Sequence, residues 1–264
     1  MPAAPREPVY RSVIAFARTV FRILGIRFDI TGSEHVPRTG GAVMAINHTG
    51  YLDFTFAGLA ALPAHRLVRF MAKKEVFDHR VSGPLMRGMH HIPVDRAAGA
   101  GSFLAALTAL RSGEIVGVFP EATISQSYDL KEFKTGAVRL AMDSGVPLLP
   151  CVIWGSQRIL TKGRDKDLRR GAHIRIVVGE PYLPEPGADA GAVSAELKRR
   201  MEAMLTEARA TYKGKPYGPD DTWWIPASMG GTAPTAEEAA ARDSAEIRER
   251  AARRTAERKA QRQP

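Results

Sequence analysis

Short apolar runs recur along this 264-residue chain, and each stops at a charged, polar or proline-marked exit. Residues 41–46, 67–72, 91–94, 114–119, 148–154 and 174–178 read as strands, being too short for most helices and bounded by turn formers. Between and after them, residues 81–89, 101–111, 133–143 and 192–212 carry helical patterns with Gly, Ser or Pro stops. Alternation of this kind predicts an α/β fold: a three-layer domain around a central mostly parallel or mixed sheet. Residues 29–40, with Gly32, Pro37 and Gly40, read as a connection.

In such a domain, ligand groups collect at the carboxyl ends of strands. Four exits carry polar residues: His48 with Asp53, Lys73 with Lys74, Asp95 with Arg96, and Glu121 with Thr123. His48 and Asp53 lie five residues apart, about 140° around a helix of ~3.6 residues per turn, so they are not neighbours on one helical face. They meet if His48 sits in a turn and Asp53 opens the following helix, where the helix dipole also favours a carboxylate. A carboxylate on one imidazole nitrogen fixes the tautomer and leaves the other nitrogen as a base. No Ser or Cys nucleophile stands nearby, so the attacking group is expected to be the substrate's own hydroxyl. A histidine that merely ends a strand shows the same residues.

Charge narrows the partners. Lys and Arg number 38 against 28 Asp and Glu, a formal net charge of +10, which suits a nucleic acid, an acidic membrane surface or a phosphorylated substrate. The single cysteine, Cys151, excludes an internal disulfide and a cysteine zinc cluster. No stretch reaches the ~20 apolar residues of a transmembrane helix, and Arg18 and Arg22 break the N-terminal apolar segment, which argues against a signal peptide. A soluble or peripheral protein on the cytoplasmic side is expected.

Residues 9–26 read as an amphipathic helix with Arg11, Arg18 and Arg22 within about 40° of one another. Val13, Phe16, Ala17, Val20, Ile23 and Leu24 occupy the opposite arc. A helix of that type lies in a membrane interface, or else packs on its domain. Trp223 and Trp224 form an isolated aromatic cluster that either docks on the domain or enters an interface. From Thr232 onward the chain is rich in interleaved charges and poor in large apolar residues, as in a solvated helix or a disordered tail. Alternating Glu and Arg without aromatics argue against a nucleic-acid partner.

The order of motifs resembles the glycerolipid acyltransferases, specifically the 1-acylglycerol-3-phosphate acyltransferase (PlsC-like) family. Its N-H-x4-D block is met by Asn47, His48 and Asp53, and its strand ending in D-R by residues 92–96. Residues 119–125, Phe-Pro-Glu-Ala-Thr-Ile-Ser, meet its F-P-E-G-T-R-S block in part, and residues 146–150 its proline-bearing strand. The resemblance implies transfer of an acyl chain from an acyl thioester, acyl-CoA or acyl carrier protein, to a lysophospholipid hydroxyl, with no metal or other cofactor. It makes residues 31–220 the catalytic domain, after an interface helix at 1–30 and before an aromatic cluster and charged tail at 221–264. Carried over, His48 is the general base, Asp53 its orienter and Glu121 the acceptor-positioning glutamate. Asn47, Lys73, Arg96, Thr123 and Lys134 fall on the substrate side, with Lys73 and Arg96 near the acceptor phosphate. Ala122 stands where the family has glycine and Ile124 where it has arginine. The isoleucine is expected at the pocket rim, tolerating a headgroup-bearing lysophospholipid or a glycolipid. A basic membrane- or nucleic-acid-binding module would explain the charge but not His48, Asp53 and Glu121. The absence of G-x-S-x-G and Walker A motifs excludes the commonest serine-hydrolase and P-loop readings.

Overall fold

The computed structural model describes residues 7–95 and 99–260. Within them, seven strands form one sheet in the order β1-β7-β6-β2-β5-β3-β4. They are β1 (Arg27–Thr31), β2 (Ala42–Ile46), β3 (Val68–Lys73), β4 (Ile92–Val94), β5 (Ile115–Val118), β6 (Leu148–Trp154) and β7 (His173–Val178). Every neighbouring pair is parallel except β6 with β7. The sheet is thus mixed and mostly parallel, as the alternation of elements implies.

Period-two alternation builds the two core layers. Ala42, Met44 and Ile46 of β2 face one side, with Met44 and Ile46 against α2 (Asp53–Ala61) and Phe21 of α1 (Pro8–Ile23). Val43 and Ala45 face the other side, toward α5 (Gly99–Arg111), α6 (Gly136–Ser144) and α7 (Ala190–Ala210). Helix α2 is apolar nearly all round because it lies beneath α1, with Phe56, Ala57, Ala60 and Ala61 fully buried. Cys151 of β6 is also fully buried, and that burial pushes its thiol up to about 12.

Residues 27–31 are strand, not connection: β1 pairs with β7 from Arg27↔His173 to Thr31↔Val177. Arg27, Asp29 and Thr31 hid it, since an edge strand keeps polar residues on its outer positions. Its Asp29 accepts from Arg175 at 2.9 Å.

Helix α1 corrects the expectation of one apolar arc. It seats Tyr10 and Phe21, with Ala17, on the body and packs against the short helices α3 (Lys74–Asp78) and α4 (Ser82–Gly88). Tyr10 donates to the Val68 carbonyl at 2.8 Å. Val9, Phe16 and Ile23 remain exposed, Phe16 by 72%. At about 100° per residue these three share an arc of about 40°, apart from the arginines. Nearby, Val81 and Leu85 at α4 are exposed as well. Among the described residues, no helix is long and apolar enough to cross a membrane.

Trp224 docks on the domain: it is buried beside Tyr212, with ring centroids 5.7 Å apart, and the Arg158 guanidinium lies 4.3 Å from its ring. Beyond it, α8 (Ala236–Ala260) is a long polar helix. Only Ala239, Asp243 and Glu246 of its described side chains turn inward.

Candidate active site

The parallel strands β2, β5, β3 and β4 lie side by side, so their carboxyl ends share one edge of the sheet. His48 follows β2, Glu121 follows β5, Lys73 closes β3 and Asp95 follows β4. Chain positions up to 73 residues apart therefore converge on one rim.

At the exit of β2 the turn is pinned from below. The Asn47 amide donates to the Ile153 carbonyl at 3.0 Å and accepts from the Ile153 N–H at 2.7 Å. Both ends of that buried amide are thereby used, so Asn47 ties the turn to β6 and does not serve as the expected substrate contact.

Asp53 opens α2 and is fully buried. Its Oδ2 accepts from His48 Nδ1 at 3.0 Å, from the Thr49 N–H at 2.7 Å and from the Gly50 N–H at 2.8 Å. Its Oδ1 accepts from the Ser156 hydroxyl. Four donors thus hold one carboxylate in place, and the tautomer follows: Nδ1 carries the proton and Nε2 has the free lone pair. Gly50 fits a close approach here: a Cβ would stand 3.0 Å from Ser156 Oγ and 3.1 Å from the Leu160 carbonyl, so those neighbours would have to shift. The His48 ring is partly exposed and stacks on Phe119 with centroids 4.2 Å apart.

Glu121 is turned into the protein. It is 4% exposed, and its Oε1 accepts from the His48 N–H at 2.7 Å while Oε2 accepts from the Lys131 N–H at 3.0 Å. Burial pushes its carboxyl up to about 7, against the pull of those two backbone donors. Glu121 therefore clamps the turn of His48 to the loop after β5. That loop also returns the Ser125 N–H to the His48 carbonyl at 2.7 Å.

Ala122 adopts a left-handed backbone, φ 62°, in this tight turn. A non-glycine residue there costs of order 1 kcal/mol, which accounts for the family's glycine and marks this chain's departure. Ile124 is buried, not at a rim, so the expectation that it relaxes headgroup selection loses its structural basis. Thr123 accepts from Lys131 Nζ at 2.6 Å. Lys134 is exposed, and only its backbone N–H is engaged among the described residues, on the Pro120 carbonyl at 2.9 Å. Lys73 is exposed at the β3 exit, and Lys74 pairs with Asp95 at 3.5 Å. Arg96 lies outside the described residues.

A buried carboxylate orienting a partly exposed imidazole is an arrangement able to take the proton from a hydroxyl. Comparison with known proteins agrees. An acyltransferase family model matches residues 27–154. The 1-acyl-sn-glycerol-3-phosphate acyltransferase of Bacillus subtilis is 32% identical over 163 residues, covering 60% of this chain and 76% of that protein. The chain belongs to this acyltransferase family. An uncharacterized protein of Mycobacterium tuberculosis is also 32% identical, but the acyltransferase spans only 44% of its length. In fold it resembles the crystal structure of PlsC, a 1-acyl-sn-glycerophosphate acyltransferase from Thermotoga maritima. The TM-score is 0.66 at 21% identity, over 77% of this acyltransferase and 81% of the other chain.

Three site residues escaped the sequence reading. Ser156 lies 103 positions after the carboxylate it serves, and an isolated serine after a strand carries no signal of that task. Lys131 and Lys162 stand in loops, and their approach to Thr123 and to Asp243 respectively depends on the tertiary fold.

Proposed function

We propose that the protein transfers a fatty acyl chain from an acyl thioester, acyl-CoA or acyl carrier protein, to the sn-2 hydroxyl of 1-acylglycerol-3-phosphate, giving phosphatidic acid. The observation that carries this reading is His48, its Nδ1 bound to the buried Asp53 and its ring partly exposed. Nε2 takes the hydroxyl proton as the oxygen attacks the thioester carbonyl. The carbon–sulfur bond then breaks, and the imidazolium returns a proton to the departing sulfur. Asp53 compensates the imidazolium charge, and Glu121 keeps the turn in register.

Incubation with an acyl thioester and a panel of lysophospholipids tests the assignment, with products read by mass spectrometry. Lysophosphatidic acid is expected to be the preferred acceptor. His48→Ala should reduce transfer by roughly 10²–10⁴-fold while thermal stability is kept. Acylation of headgroup-bearing lysophospholipids in preference to lysophosphatidic acid would overturn the assignment of the acceptor.

The lipid acceptor also favours attachment to the inner face of the cell membrane. The exposed Val9, Phe16 and Ile23 of α1, with Val81 and Leu85 beside them, form an apolar surface suited to an interface. Arg11, Arg18 and Arg22 stand exposed on the same helix, suited to anionic headgroups. Changing Phe16 and Ile23 to Ser should abolish flotation with anionic vesicles. Changing the three arginines to Glu should make the remaining binding weaker and less sensitive to salt.

A further inference from the structure

Beside Thr123, two ammonium groups face two carboxylates. Lys131 Nζ donates to Thr123 Oγ1 and to Asp243 of α8. Lys162 Nζ stands 2.6 Å from Asp243 Oδ1 and 2.5 Å from Glu246 Oε2. Lys131 is also the residue whose N–H holds Glu121, so this cluster adjoins the clamp on His48. Lys131 and Lys162 are partly covered yet reach solvent. Next to Lys162 opens a cavity of about 610 Å³, lined by Gln126, Tyr128, Arg164, Glu238 and Arg242 among others.

We propose that Lys131 and Lys162 form a phosphoryl-binding subsite, and that Asp243 of the C-terminal helix fills it in the free enzyme. Carboxylate and phosphate oxygens accept from the same donors, so Asp243 occupies the place of a ligand anion. A phosphate monoester dianion carries the charge of the two carboxylates it displaces, so the exchange leaves the local balance intact. Helix α8 is suited to such an exchange because, among its described side chains, the inward face offers only Ala239, Asp243 and Glu246. Residues 119–125 carry Ile124 where the family block has arginine, so that block supplies no guanidinium, and these two lysines supply cations. The acceptor's phosphate sits on the carbon next to its reacting hydroxyl, so it must bind close to His48. The phosphates of a coenzyme A donor are the other source, entering through the cavity.

Titration calorimetry of the full chain separates the two sources, using glycerol 3-phosphate in one arm and coenzyme A in the other, with glycerol as the uncharged control. Asp243→Asn is expected to tighten binding in one arm, and Lys131→Gln with Lys162→Gln to weaken the same arm. Each shift should be about tenfold, as expected for one charge-assisted hydrogen bond. In turnover, the KM for the corresponding substrate should move in the same directions while kcat changes little. A purely structural ion pair makes the opposite forecast, since both variants would loosen α8 alike. Weaker or unchanged binding in Asp243→Asn, or unchanged binding in the double lysine variant, overturns the subsite. So does a response of both arms to Lys73→Gln alone. The acceptor arm rests on the function proposed above, whereas the calorimetry needs no turnover. Failure to acylate lysophosphatidic acid would therefore refute that function and leave the binding result to stand or fall by itself.

Discussion

Helix α1 seats Tyr10 and Phe21 into apolar clusters, whereas α8, among its described side chains, turns only Ala239, Asp243 and Glu246 toward the body. Just before α1, Glu7 grips the buried Arg69 guanidinium through both oxygens, at 2.5 and 3.3 Å, and Arg69 also reaches Glu114 at 3.0 Å and the Met89 carbonyl at 2.9 Å. The ion pairs of α8 lie nearer solvent, where such pairs contribute little. One of these helices is therefore seated on apolar surface, and the other is held mainly by ion pairs. Length does not foretell this, though amphipathicity does: the longer helix has the less apolar seat.

The largest effect should come from the seat of α1. Arg69→Ala leaves Glu7 and Glu114 beside a buried gap, and loss of one partner from a buried pair costs about 3–5 kcal/mol. Denaturant unfolding should show that loss, and a cost below ~1 kcal/mol would place α1 in the same class as α8.

Acid should reach the same seat next. The buried Nδ1 of His91 accepts from the Phe70 N–H at 3.1 Å, and its ring meets Tyr10 edge-on at 5.4 Å. Burial, helped by the Arg69 charge, pulls its pKa from 6.5 down to about 4. The unfolded chain therefore takes up this proton first. The stabilisation is complete above about pH 6.5 and is lost as pH falls toward 4, at most about 3 kcal/mol at ~1.4 per unit. Asp243 behaves otherwise: burial opposes its ionisation, but hydrogen bonds from Lys131 and Lys162 prevail and hold its carboxyl below the usual value. Its contribution is present above about pH 3.8 and is lost only below that. Hydrogen exchange between pH 6.5 and 4 should then loosen α1 while α8 keeps its protection. Simultaneous loosening would mean that the helices share one attachment.

Salt should do the reverse. Raising ionic strength to about 1 M shortens the Debye length to ~3 Å, and α8 should lose protection, at a cost of at most ~1 kcal/mol, while α1 holds. The smallest effect should be that of Ile247→Ala on α8. Ile247 is 66% exposed, and its truncation should change stability by under about 0.5 kcal/mol. A larger loss would show that α8 is seated on apolar surface after all.

The sheet and the His48–Asp53 pair were legible because both are written locally. Each inner strand is an apolar run, and the turn of His48 and Asp53 spans a handful of residues whose spacing limits how they meet. What escaped the sequence depended on distant partners. Strand β1 alternates polar and apolar residues at an edge and is a strand because β7 lies beside it. The partners of Glu121 escaped for the same reason. Its place after β5 was evident, but its partners are backbone groups of His48 and Lys131, which no side-chain pattern encodes. Asn47 likewise looks like a substrate contact until Ile153 accounts for both ends of its amide.

The burial of Cys151 has a practical side. It is the chain's single cysteine, fully enclosed, with its thiol held at about 12. With an acyl-CoA donor, each turnover liberates one free thiol, which a coloured disulfide reagent reports directly. Folded enzyme should consume almost none of that reagent, because reaction needs an accessible thiolate. The background of a continuous colorimetric assay would then be flat, and a slow upward drift in a blank would report unfolding of the sample rather than catalysis.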